Sequence, residues 1–321
     1  MRSTLVEGDT LARAPKRWRW ALEYLLLTAV LALVRCLPER WWRGLGRGLG
    51  VFVNRRLGFR RAVVTDNMRR GFPELGVGEI DALCDSFYEN LGETMLEFFA
   101  MSGWDKDEIL ARVDHEALAP IHELHRQGRG AILVTGHYGN WELLGAAASA
   151  AGIPMSVVAR TQSNPWVDGL QNRIRERSGM RVIKADASVR EVIRAVRRGE
   201  FVAMLPDVNA GDDGVFVDFL GRPASTPRGV AYFAWKLRCP LVTAFLECDG
   251  DGTHTIRPGT VLEPDPDQDE ETAVRDLTQA LIDSLGTQIR ARPELYFWVH
   301  RRWKTRPPEK RGGPSPVEEG R

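Results

Sequence analysis

Residues 136–142 read GHYGNWE, which sets His137 five positions ahead of Glu142 with two glycines and an asparagine around them. A short apolar run, AILVT (131–135), precedes the stretch, and an alanine-rich helical pattern, LLGAAASAAG, follows it. The order reads as strand, tight turn and helix, with a titratable pair at the junction. Five residues along an ideal helix leave two side chains about 140° apart, so they do not share a face. The pair meets only if His137 lies in the turn and Glu142 in the first helical turn, for which Gly136 and Gly139 tolerate positive φ. Glu142 would then accept a hydrogen bond from one ring nitrogen and fix the tautomer. The other nitrogen would be free as a general base near neutral pH. N–H groups at the helix start would face a developing oxyanion. The plainer alternative is a histidine that only holds the turn. The H-x-x-x-x-E spacing is not that of a zinc-binding HExxH, and no metal is expected. Tyr138, Asn140 and Trp141 either line such a site or simply pack.

Other polar stretches sit where an α/β fold gathers ligands. Arg160 closes one apolar run, and Arg173, Arg175 and Arg177 follow in LQNRIRERSG (170–179). These arginines carry the chemistry to bind phosphate, or else form a solvated helix face. Asp207, in LPDVN (205–209), stands at a strand end and could hold an arginine or a substrate hydroxyl. FLGRPASTPRG (219–229) reads as a glycine- and proline-rich loop, and FWVHRRWK (297–304) closes the fold. His300, Arg301 and Arg302 read as a structural or membrane-facing cluster.

The elements that must position these residues follow from periodicity. Strands are predicted at 131–135, 154–159, 181–183, 201–205 and 241–247, with helices at 140–151, 165–178, 187–198 and 226–238 between them. Strands alternating with helices indicate βαβ units and a mostly parallel sheet covered on both sides. Helices are also predicted at 79–100, 115–127 and about 268–291, with a last strand at 295–299. The expected fold is a single α/β domain over 55–304, preceded by hydrophobic and amphipathic helices (1–54) and followed by a disordered tail (305–321). Residues 38–71 are expected to continue as basic helix.

The 321-residue chain carries a net charge of only +1, which conceals a basic front end: residues 1–70 hold +10 and the remainder −9. The uncharged run Tyr24–Val34 is too short, at about 1.5 Å per residue, to cross a hydrocarbon core of about 30 Å. No small-residue cleavage site follows it. An interfacial or shallow anchor fits better, with Trp18, Trp20, Trp41 and Trp42 at headgroup level and arginines 13, 17, 19, 35, 40, 43 and 47 on anionic lipid. A core helix with a solvated basic rim is the alternative. Four cysteines show no metal or disulfide spacing and are expected to be buried and inert.

Taken in order from Trp18 to Lys304, these features resemble the lipid A biosynthesis acyltransferases, the late, secondary group within the wider HxxxxD/E glycerolipid acyltransferases. The likeness includes RR (55–56), DN (66–67), FP (72–73), GHYGNWE, R-x-x-x-N-P (160–165), R-x-x-x-G (175–179), PD (206–207), F-x-G (219–221) and the closing W-x-H-R-R-W-K. The resemblance implies O-acyl transfer from acyl carrier protein to a hydroxyl of a lipid A precursor of the Kdo-lipid IVA type, at the cytoplasmic face of the inner membrane. His137 matches the family's general base and Glu142 its carboxylate partner. Arg175 and Asp207 match two further essential polar positions, and Arg160 matches the basic position after the second strand. Asn140, Asn164 and Arg173 join Arg160 as expected substrate-binding residues. Asn209 replaces the second acid that many relatives carry after the proline. The partners implied are acyl carrier protein or acyl-CoA, a phosphorylated glycolipid and membrane lipid, with no cofactor and no nucleic acid. The alternatives are acyl-CoA-dependent acylation of another glycolipid or lysophospholipid, thioester hydrolysis by the same base, and non-catalytic membrane binding.

Overall fold

The computed structural model describes residues 17–185, 188–250 and 252–307. The N-terminal part is helical: α1 (Arg17–Cys36), α2 (Glu39–Phe52), α3 (Arg61–Gly71), α4 (Val77–Ala100) and α5 (Lys106–Arg112). There follow β1 (Val113–Asp114), α6 (Ala119–Arg126), β2 (Ala131–Val134), α7 (Trp141–Ala150), β3 (Met155–Ala159), α8 (Pro165–Arg177), β4 (Arg181–Lys184), α9 (Ser188–Arg197) and β5 (Phe201–Met204). The chain closes with β6 (Val215–Phe219), β7 (Arg222–Thr226), α10 (Gly229–Leu237), β8 (Leu241–Cys248), β9 (His254–Leu262) and α11 (Glu270–Ala291).

The main sheet has the order β1-β9-β8-β2-β5-β3-β4. Its neighbours run parallel except β8 and β9, which are antiparallel. The expected α/β class with a mostly parallel sheet is therefore what the chain adopts. The central strands, AILV in β2 and FVAM in β5, are buried at every residue, because helices cover both faces. Leu133 and Ala203 pack with α7 on one face, while Val134 and Met204 pack with α9, α10 and α11 on the other.

The N-terminal helices divide into two faces. Arg43, Gly46 and Gly50 of α2 are buried. An added Cβ at Gly50 would lie 1.9 Å from the Tyr88 carbonyl oxygen of α4, so only glycine permits that approach. The outer face exposes Trp18, Leu22, Leu25, Leu26 and Leu33 on α1, then Trp41, Leu45, Leu49 and Phe52 on α2. Trp42 and Arg43 do not join it: both are buried, contrary to the headgroup and lipid contacts expected of them. Arg13 lies outside the described residues, as does the tail from residue 308. Among the described residues no helix is long and apolar enough to cross a membrane.

Several local expectations fail for identifiable reasons. The helix expected through 38–71 breaks at Gly58, whose φ of 58° places it in the left-handed region and turns the chain between α2 and α3. The stretch at 219–229 is no simple loop, since β6 and β7 pair as an antiparallel hairpin through Leu220 and Gly221. The strand expected at 295–299 does not form. That segment contributes only an isolated bridge from Tyr296 to Tyr138. Its apolar run comes from aromatic packing of Tyr296 against Phe219 and Trp298, not from a place in the sheet. Of the cysteines, Cys84 and Cys239 are buried as expected, whereas Cys36 is exposed and Cys248 half-buried.

Candidate active site

β2 and β5 are neighbours, and Val134 pairs with Met204 at their carboxyl ends. From β2 the chain crosses past β5 to β3, and from β5 it later crosses back past β2 to β8, so a crevice opens between these two strand ends. His137 and Asp207 each stand three residues past that last register pair. The sheet therefore brings together two residues that are 70 positions apart in sequence.

Asp207 is fully buried and receives His137 twice. Its Oδ1 lies 2.8 Å from His137 Nδ1, and its Oδ2 accepts the His137 backbone N–H at 2.8 Å. A carboxylate is only an acceptor, so this contact puts the ring proton on Nδ1 and leaves Nε2 as an acceptor. Burial works against charge on both groups. The Asp207 charge and hydrogen bond, and then the Glu142 charge, outweigh it and raise the His137 pKa above the ordinary histidine value. Burial likewise pushes the Asp207 carboxyl up, and the imidazole contact more than reverses this, holding it below its ordinary value. The result is an imidazole of raised basicity held by a buried carboxylate.

The turn itself is built to close limits. Gly139 has a φ of 55°, and a Cβ there would fall 1.7 Å from the Leu246 carbonyl oxygen. Asn140 caps α7, its side chain accepting from the Leu143 N–H at 3.0 Å and donating to Glu97 at 2.7 Å. The segment after α11 lies along the turn: the Phe297 N–H donates to the His137 carbonyl (2.8 Å), and the Gly139 N–H to the Leu295 carbonyl (2.9 Å). Trp141, Phe297 and His300 surround the imidazole, with ring centroids 5.1, 5.8 and 5.3 Å away.

Glu142 does not make the hydrogen bond to His137 expected of it. Its carboxylate takes a forked contact from Arg175 of α8, at 2.9 Å from Nε and 2.5 Å from Nη2. Asp207 already occupies His137 Nδ1, and Arg175 offers Glu142 a bidentate guanidinium instead. Both groups still line the same cleft as His137, and Glu142 still acts on it through its charge.

That cleft has a volume of about 810 Å³. Its floor is apolar, with Leu133, Leu144, Val157, Met180 and Phe233, and its rim carries Arg160, Arg301 and Lys304. Of the other expected residues, Arg160 lines the cleft, whereas Arg173 is exposed on α8 and does not. Asn140 and Asn164 are buried and already bonded within the protein, which is why they do not line the cleft. Asn164 caps α8 and ties down α1 through the Trp20 carbonyl (3.1 Å) and Glu23 (2.8 Å). Asn209 lines the cleft and holds Thr305. The sequence reading gave His300 no place at the site. Its one signal was the polar run HRRWK after an aromatic stretch, and of that run Arg302 is structural, buried and donating to the Ser225 carbonyl at 2.6 Å.

Residues 6–305 match the family described as bacterial lipid A biosynthesis acyltransferase. The chain is 26% identical over 308 residues to the lipid A biosynthesis myristoyltransferase of Escherichia coli (strain K12), covering 94% of this chain and 92% of that one. It is 30% identical over 283 residues to the lipid A biosynthesis lauroyltransferase of the same organism, covering 87% and 90%. A lipid A biosynthesis acyltransferase of Haemophilus influenzae is 29% identical over 304 residues, covering 92% and 94%.

Proposed function

The chain belongs to the bacterial lipid A biosynthesis acyltransferase family, and on that premise we propose that it moves a fatty acyl chain from acyl carrier protein to a hydroxyl of a lipid A precursor. The observation that carries the mechanism is the His137–Asp207 pair at the edge of an apolar-floored cleft. His137 Nε2 takes the proton of the acceptor hydroxyl as its oxygen attacks the thioester carbonyl. The O–C bond forms, the tetrahedral oxyanion collapses, the C–S bond breaks and the thiol leaves with the proton returned by His137. Asp207 holds the ring and stabilises its charged form. Such a base contributes about 100- to 10,000-fold in rate.

The remaining groups find roles around that step. Glu142 holds Arg175 in the cleft wall and adds negative charge near the protonated imidazole. N–H groups at the start of α7 meet the oxyanion, apart from that of Leu143, which Asn140 already occupies. Arg160, Arg301 and Lys304 face the phosphates of the acceptor at the rim. The apolar floor takes the acyl chain. The exposed apolar face of α1 and α2 seats the protein in the interface of the inner membrane on its cytoplasmic side, which gives two lipid-soluble substrates a common phase.

The test is purified protein with acyl carrier protein thioester or acyl-CoA, a lipid A precursor, and mass spectrometry of the product. The expected result is one added acyl mass, faster from the carrier protein, and loss of that product in His137→Ala. A wild-type rate in His137→Ala would remove the mechanism. Free fatty acid without acylated lipid would replace transfer by hydrolysis.

A further inference from the structure

A second group of buried, charged and nucleophilic side chains lies away from the cleft, where β8 and β9 meet α2 and α4. Cys248 ends β8 and His254 begins β9, and the two are cross-strand partners. Arg43 of α2 donates from Nη2 to the Cys248 sulfur at 2.9 Å. His254 is buried, and its Nε2 lies 3.0 Å from the Glu97 carboxylate of α4, which fixes and charges the ring. The thiol thus faces a guanidinium and an imidazolium whose own counter-charges, Glu93 and Glu97, lie behind them. Glu39 of α2 stands 3.5 Å from Arg43, and Arg292, beyond α11, donates to the Cys248 carbonyl at 3.4 Å.

We propose that Cys248 is a reactive thiol, a modification site separate from the acyl-transfer cleft, that attacks small soft electrophiles such as hydroperoxides. A partly exposed cysteine in a cationic setting is the arrangement in which thiolate reactivity arises, while buried apolar cysteines stay inert. The molecule holds both kinds. Burial pushes the Cys84 thiol up to about 11 and the Cys239 thiol up to about 12. Burial acts the same way on Cys248, but the His254 hydrogen bond and charge, the Gly250 backbone and Arg43 outweigh it and bring its pKa below the ordinary value. A second observation concerns the product. Arg43 Nη1 is buried without a hydrogen-bond acceptor. An oxygen bonded to the sulfur would supply one. In the step itself the thiolate sulfur attacks one peroxide oxygen, the S–O bond forms as O–O breaks, and hydroxide leaves to be protonated to water. Sulfur loses two electrons and the peroxide gains them, giving a sulfenic acid.

The experiment uses the full chain, with the exposed Cys36 as its internal reference. Iodoacetamide alkylation between pH 6 and 9 is followed at each cysteine by peptide mass spectrometry. Cys248 is expected to react about tenfold faster than Cys36 at pH 7, with a flatter pH dependence. His254→Gln is expected to bring Cys248 down to the Cys36 rate or below. Hydrogen peroxide followed by dimedone should tag Cys248 and not Cys84 or Cys239. Equal or slower alkylation of Cys248 at pH 7 overturns the proposal, as does a rate unmoved by His254→Gln in folded protein. Should circular dichroism show that variant unfolded, the wild-type ratio of Cys248 to Cys36 and its pH profile decide alone.

Discussion

Among the described residues are two buried histidine–carboxylate pairs of nearly the same chemistry, and they differ in access. His137 lies 2.8 Å from Asp207 and its side chain is 23% exposed, opening on the cleft. His254 lies 3.0 Å from Glu97 and is 1% exposed, sealed between α4 and β9. Both imidazoles are raised by their carboxylates against burial. Only the first has a free nitrogen beside a substrate-sized volume. A charged pair is therefore not a catalytic site by itself. Strand ends that stop short and leave a crevice make it a candidate for one, and a strand that carries on under a helix makes the same pair a fastening.

That contrast can be broken by experiment. The largest expected effect is on rate at the open pair. Asp207→Asn should cut kcat by about 100- to 10,000-fold with little change in KM, because the imidazole loses both its orientation and the charge that stabilises its protonated form. A fall of less than about threefold in steady-state kinetics would leave Asp207 no part in the chemistry. Next comes stability at the sealed pair. Glu97→Gln leaves His254 buried without its counter-charge and should cost about 3–5 kcal/mol in denaturant unfolding, well beyond what Asp207→Asn costs. Equal losses for the two variants would erase the distinction drawn here.

The smallest effect is in pH dependence. His254 rises from 6.5 to about 10 on folding, so its stabilisation is full below pH 6.5 and is lost as pH climbs through about 10. Glu97 is lowered, so its share is present above its ordinary value of 4.5 and is lost on acidification. Unfolding free energy should accordingly fall between pH 7 and 10 in the wild type, and fall less in His254→Gln. A wild-type curve no steeper than that of the variant over this range would contradict the assignment.

Much of the frame was legible in the sequence because its signals are local. AILV and FVAM are unbroken apolar runs that only a strand covered on both sides tolerates, and the glycines of GHYGNWE announce the turn between β2 and α7. What failed was non-local. Glu142 was the natural guess for the partner of His137 because it is five residues away, whereas Asp207 is 70 residues away and adjoins it only through the order of the sheet. β9 was missed because most of its length is exposed and carries Pro258 and Gly259, which obscure the alternation of a half-buried strand. LYFWV looked like a strand because aromatic residues favour both strands and irregular packed segments, and nothing in composition separates the two.

The strap formed by residues 295–300 has one more consequence. Backbone groups of Leu295 and Phe297 hold the His137 turn, and Asn67 of α3 grips the Trp298 and His300 carbonyls at 2.7 and 2.5 Å. These residues follow every strand of the sheet in the chain and yet pack against the turn after β2. A change at Asn67, far from the cleft in sequence and not among its lining residues, would therefore reach the His137 turn through this strap.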